Sequence, residues 1–156
     1  MLNTKRQNRS EEIFSTIAHL FTEKGYMETT MRGIAKELNM KAPSLYNYFR
    51  SKEEGLFKVL NDSMDSGLKK MQEVCNMRIS PKEKLYKLID IHTQSYSVKR
   101  EGPVLLMNYI HKLTKEHQKI LIAKQRRFAE LGARILKELQ EKGQTKKIPP
   151  KIMLPK

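Results

Sequence analysis

Between Gly25 and Glu54 the chain reads GYMETTMRGIAKELNMKAPSLYNYFRSKEE, two short helical patterns set almost end to end with room for only a tight turn between them. Thr29 and Thr30 are the N-cap candidates for the first pattern, whose Ile34, Ala35 and Leu38 return to one face at helical spacing. Asn39 to Ala42 form the turn. Pro43, tolerated in the first turn of a helix, opens the second pattern, which is expected to run through Phe49. On a helical wheel Leu45, Tyr48 and Phe49 share the inward side, while Pro43, Ser44, Asn47 and part of Tyr46 face outward. A pair this short needs a third helix to brace it. Residues 10–24 supply one, with Ile13, Phe14, Ile17, Ala18, Leu20 and Phe21 in a single stripe, Glu11 and Glu12 at the favourable end of the dipole, and Gly25 as C-terminal cap.

Helical punctuation continues downstream. Ser51 and Glu54 form an S-x-x-E capping box, after which Leu56, Phe57, Leu60, Met64, Leu68, Met71 and Cys75 keep helical spacing along one long connecting helix. Asp65, Ser66 and Gly67 are its weakest helical stretch. Ser80, Pro81 and Glu83 repeat the capping pattern for a helix carrying Leu85, Leu88, Ile89, His92 and Tyr96, which Gly102 and Pro103 break. A short apolar helix over Val104 to Leu113 follows. Thr114 then starts a long one with Leu121, Phe128, Leu131, Ile135 and Leu139, closed by Gly143 and followed by an extended basic tail. The expected fold is all-α: a three-helix helix-turn-helix domain over 1–52, joined by a long helix to a second helical domain over 53–156.

Composition narrows the function. Thirty-one Lys and Arg against seventeen Asp and Glu give a net charge of +14, which calls for an anionic partner such as nucleic acid or a phosphorylated ligand. The charge is uneven, with nine basic and five acidic residues in 1–52 but fifteen and five in 98–156. Taken alone it directs attention to the wrong half for DNA, because many of the later lysines form a solvated helix surface. Cys75 is the only cysteine, so no internal disulfide or multi-cysteine metal site can form. The four histidines lack i, i+4 pairing and an HExxH pattern, and no GxGxxG, Walker or GxSxG motif occurs, so no catalytic residue, metal or cofactor is expected. With no membrane-length apolar run and no apolar stretch at the N-terminus, the chain is read as cytoplasmic.

The segments G-Y-M-E-T-T-M-R-G-I-A (25–35) and P-S-L-Y-N-Y-F-R-S-K-E-E (43–54) resemble the signature of the TetR family of bacterial transcriptional repressors, over about residues 10 to 60. The resemblance implies an operator-DNA partner, with Thr29, Thr30 and Lys52 on backbone phosphates and Arg32, Lys41, Ala42, Ser44, Tyr46, Asn47 and Tyr48 on bases or phosphates. Asn47 is the sharpest base reader, since an amide pairs with adenine in a bidentate way. Tyr48 divides between core and DNA, and Thr30 is an N-cap with or without DNA. Gly33, where an acidic residue often completes the cap begun by Thr30, and Lys41, where serine is common, depart from the family pattern.

The resemblance further implies a homodimer whose effector cavity lies among the later helices. Met64, Leu68, Met71, His92, Tyr96, Met107, Asn108 and Phe128 are its expected lining, with Arg127 as a polar anchor and Leu88, Tyr109, Ile110, Gln125 and Arg126 as further members. An amphipathic anion such as an acyl-CoA suits a basic region with a Met-rich interior. The alternatives are a constitutive or protein-partner-controlled regulator with no small-molecule effector, a non-specific nucleic-acid packaging protein, and a helical enzyme. Family members commonly run longer, and Ile148, Ile152, Met153 and Leu154 read as the approach to a further helix, so the chain is expected to be truncated.

Overall fold

The computed structural model describes residues 2–95 and 101–145, and the regular structure among them is helical. The first helix, α1 (Leu2–Glu23), begins eight residues before the expected start, as the straight-chain residues Lys5, Arg6 and Gln7 are good helix formers with no breaker among them. A left-handed Gly25 (φ 80°) turns the chain into a single helical turn, α2 (Gly25–Glu28). Next come α3 (Met31–Glu37), α4 (Ala42–Leu45), the long α5 (Lys52–Asn76) and α6 (Pro81–Ser95). They are followed by α7 (Gly102–Tyr109), a 3₁₀ turn over Ile110–Lys112, and α8 (Lys115–Glu141).

The capping residues act as the sequence requires. Glu54 N–H donates to Ser51 Oγ at 3.1 Å, although the Glu54 carboxylate reaches back to the Arg50 N–H at 2.7 Å instead of that of Ser51. At α6 the box is reciprocal: Glu83 N–H donates to Ser80 Oγ at 3.3 Å and Ser80 N–H to Glu83 Oε2 at 2.8 Å. Thr114 Oγ1 accepts from His117 N–H at 3.3 Å to start α8, and Gly143 ends it with φ 64°. Gly102 and Pro103 begin α7, two residues before its expected start, because proline is compatible with the first helical turn. Asp65, Ser66 and Gly67 lie inside an unbroken α5. The basic tail beyond 145, like Tyr96, falls outside the described residues.

The described residues form two compact units. One holds those up to Asp62 together with Glu101–Gln118; the other holds those from Ser63 to 95 and from Lys119 to 145. By packing, α7 and the start of α8 belong with the N-terminal helices. In the first unit Ile13, Ile17, Phe21, Ile34, Leu45, Phe49, Leu56, Leu60 and Leu105 are buried completely or nearly so. Each contributes about 1.5–3 kcal/mol of transfer free energy. In the second, Met71, Val74 and Cys75 of α5 pack with Leu131, Ile135 and Leu139 of α8, flanked by Leu85, Leu88 and Ile91 of α6. Lys84, only 8% exposed, donates to Glu138 Oε2 at 2.9 Å, and Arg134 lies 3.6 Å from the other carboxylate oxygen.

Candidate nucleic-acid interface

Thr30 sits in extended backbone (φ −116°, ψ 157°) and its Oγ1 accepts the Gly33 N–H at 3.0 Å, satisfying one of the free donors at the start of α3. At the other end Asn39 adopts φ 50°, a left-handed conformation that asparagine tolerates better than most residues. The Met40 N–H reaches Ala35 O at 2.8 Å and the Asn39 N–H reaches Lys36 O at 3.1 Å, the two bonds of a Schellman termination. Arg9 of α1 donates to Leu38 O at 3.3 Å, so a carbonyl left over at the end of α3 is held from the bracing helix.

The second element departs from expectation. Its α-helical part is α4, one turn long, and from Tyr46 to Tyr48 the chain continues in turns, with Asn47 N–H on Ser44 O at 3.4 Å and Tyr48 N–H on Leu45 O at 3.0 Å. Asn and Tyr are weak helix formers, which explains the loosening before Phe49. The facing survives except at Ser44. Leu45 and Phe49 are buried, Tyr48 and Ser44 are half-buried, Pro43 and Asn47 are exposed, and Tyr46 is 52% exposed. Lys58 of α5 donates to Tyr48 O and lies 3.4 Å from Glu54 Oε1, tying the end of this element to the long helix.

Charge surrounds the exposed edge. Arg32, Lys36 and Lys41 are exposed and form no ion pair among the described residues. Thr29 and Lys52, which the resemblance sets on phosphates, have partners within the protein. The Thr29 side chain is buried and its hydroxyl donates to Gly25 O at 2.8 Å, with Leu20 O at 3.2 Å, so it locks the turn between α1 and α3 from within. Lys52 Nζ donates to Tyr26 O at 2.7 Å and Met27 O at 3.3 Å and stands 4.4 Å over the Tyr26 ring. Those carbonyls end α2 and lack helical partners, which makes an ammonium their natural complement. Burial, with the nearby Glu53 charge, pushes the Tyr26 phenol above its ordinary pKa of 10.0. Arg9 and Lys58 brace the element, and neither is legible in the sequence, where an arginine or lysine aimed at a distant carbonyl leaves no periodic signature.

The expected effector residues are brought together only in part. Met71, Leu88, Ile89, His92, Thr93 and Phe128 line a solvent-open cavity of about 260 Å³ within the second unit. Met64 and Leu68 are half-buried in that unit, Leu68 against its core, and neither lines the cavity. Arg127 is exposed and paired with Glu130 at 3.3 Å. Met107, 72% exposed, and Asn108 belong to the first unit, on the outer side of α7. An amphipathic helix gives a methionine the same spacing whether it faces core, ligand or water.

A one-turn element with a polar outer edge, set in uncompensated positive charge and braced by two longer helices, defines the first unit as a helix-turn-helix. Residues 13–58 match the family described as "Bacterial regulatory proteins, tetR family", and residues 78–154 match "Tetracyclin repressor-like, C-terminal domain". The chain belongs to the TetR family of transcriptional regulators. It is 35% identical over 78 residues to the HTH-type transcriptional repressor KstR2 of Mycolicibacterium smegmatis, covering 50% of this chain and 38% of that protein. The chain spans less than half the length of the curated relatives it matches. Among solved structures it resembles the TetR family regulator PfmR of Thermus thermophilus at TM-score 0.81 and 27% identity, covering 88% of this chain and 75% of that one. It shares its fold with AibR, solved with isovaleryl coenzyme A and operator DNA, at TM-score 0.80 and 22% identity over 92% of this chain and 78% of the other.

Proposed function

We propose that the protein is an operator-binding transcriptional repressor, working as a homodimer in the cytoplasm and released from DNA by a small-molecule effector. One observation carries the DNA half: the exposed edge of Pro43, Tyr46 and Asn47 stands on the buried pair Leu45 and Phe49, with the free charges of Arg32, Lys36 and Lys41 around it. Buried side chains fix the orientation, the cations supply sequence-independent attraction, and the amide supplies the base-edge donors and acceptors. The relevant phosphate contacts are those of Thr30, Arg32 and Lys41, with Ala42, Ser44 and half of Tyr48 along the same edge.

The effector half rests on the cavity of the second unit, whose apolar wall of Met71, Leu88, Ile89 and Phe128 meets His92 and Thr93 at an open side. At about 260 Å³ it suits a short acyl or similarly sized apolar group whose charged remainder stays outside. An amphipathic anion such as an acyl-CoA has that form, and isovaleryl coenzyme A is such a molecule in AibR. A catalytic role is no part of this reading, since the relatives are regulators.

Genome-wide capture of bound DNA identifies the operator, and anisotropy titrations then compare it with scrambled duplex. Asn47→Ala is expected to weaken operator binding by about 1–3 kcal/mol while scrambled DNA is bound as before. Equal losses on both duplexes would remove Asn47 from sequence reading. Isovaleryl-CoA is the first effector probe; operator release that Phe128→Ala alters supports the cavity, and operator affinity indifferent to acyl-CoAs favours the constitutive alternative.

A further inference from the structure

Glu53 occupies an unusual position. It lies in the first turn of α5, where a carboxylate complements the helix dipole, yet its Oε1 accepts the backbone N–H of Thr114 at 2.9 Å and lies 2.9 Å from His117 Nδ1. Phe57, one turn along α5, stacks flat on the His117 ring, with centroids 3.8 Å apart and planes 4° from parallel. The start of α8 is therefore held from α5 in two ways, a carboxylate on its backbone and ring, and an aromatic face that fixes its rotation. Local capping does not require this, because Thr114 already accepts the His117 N–H. All of these groups lie in the first unit.

The neighbouring residue makes the complementary tie to the reading head, donating where Glu53 accepts. Lys52 holds the Tyr26 and Met27 carbonyls just before the Thr29 and Thr30 pair that sets α3. Consecutive residues of one helical turn thus tie the head on one side and the beginning of α8 on the other. The continuation of α8 carries Phe128, a wall of the cavity.

Resting on the proposed repressor function, we infer that Glu53 is a positioning residue that makes the pose of the reading head depend on the first turn of α8, so that operator binding and the order of residues 114–118 are coupled through this carboxylate. The acid touches no DNA in this account. It acts through Thr114 and His117, and a residue serving stability alone would leave no operator-dependent trace in α8.

Hydrogen exchange of the Thr114–Gln118 amides, read by mass spectrometry with and without the captured operator, tests the inference in wild type, Glu53→Ala, Glu53→Gln, His117→Ala and the double variant Glu53→Ala with His117→Ala. In wild type the operator should slow exchange at these amides severalfold. Glu53→Ala should abolish that response and weaken operator binding about tenfold; Glu53→Gln, which keeps a carbonyl acceptor, should recover part of both. The double variant should lose no more operator affinity than the worse single one. Operator-induced protection that persists undiminished in Glu53→Ala or Glu53→Gln, or losses that add independently, overturns the inference. Should Glu53→Ala not fold, the Glu53→Gln response decides alone. Failure of the wild type to bind any captured DNA strikes the repressor reading instead, whereas tight operator binding with no protection at 114–118 strikes only the role of Glu53.

Discussion

Two glycines on α5 should respond to alanine with opposite sign. A Cβ added at Gly55 would sit 3.1 Å from both Cδ2 and Cε2 of Phe49, where ordinary contact begins at 3.4 Å. The ring cannot swing clear, because Phe49 is 1% exposed and its N–H is held on Leu45 O at 3.4 Å. Overpacking a rigid ring costs about 1–3 kcal/mol, against a helix-propensity gain of roughly 0.5–1 kcal/mol that shrinks near a helix start. A net loss of about 1–2 kcal/mol should lower the melting temperature of this unit by roughly 5–15 °C, taking 4–8 °C per kcal/mol for a domain of its size. At Gly67 the added Cβ would meet only Phe128 Cε2, at 3.6 Å, an ordinary contact. Gly67→Ala should then stabilise by up to about 1 kcal/mol. Circular dichroism melts of wild type, Gly55→Ala and Gly67→Ala in one buffer measure both effects. Because Phe49 closes the reading element, Gly55→Ala should also weaken operator binding. A Gly55→Ala protein melting at or above wild type would mean that the Phe49 ring has room the structure denies it, and the tight packing of Phe49 on α5 would have to be abandoned.

Lys52→Ala should cost about 1–3 kcal/mol of stability through its two carbonyl bonds, while the salt slope of operator binding falls by well under one unit; a full unit with an unchanged melt would restore the ammonium to a phosphate. The Arg50 N–H bond to Glu54 holds that carboxyl below its ordinary pKa of 4.5. Its contribution is therefore complete above pH 4.5 and lost as pH falls through the lower folded value. Glu54→Gln should flatten this acid limb in melts from pH 6 to pH 3, and a parallel curve would show the bond contributes nothing. Lys84→Ala leaves Glu138 with Arg134 alone and should cost about 3 kcal/mol, whereas Lys84→Met should recover much of it in denaturant titrations; equal losses for both would locate the cost in packing and not in the broken pair.

Much of the molecule was legible along the chain because helix physics is local. The Thr30 and Ser51 caps, the box at Ser80, the left-handed glycines at 25 and 143 and the inward trio Leu45, Tyr48 and Phe49 each depend on residues within a turn or two of one another. That is also why the helix-turn-helix is legible, though its second helix is shorter than the spacing predicts, since propensity at Tyr46 and Asn47 sets no sharp boundary. Tertiary structure decided whatever depends on distant partners. Thr29 and Lys52 carry groups suited to phosphates, and only the fold shows that the hydroxyl also meets the carbonyls of Leu20 and Gly25 and the ammonium those of Tyr26 and Met27. Spacing could not separate Met71, which lines a cavity, from Met107, which faces water, because both follow the same helical period. Nor could it bring Glu53 to His117, 64 residues away, a meeting that depends on how α5 and α8 pack and that neither local sequence encodes.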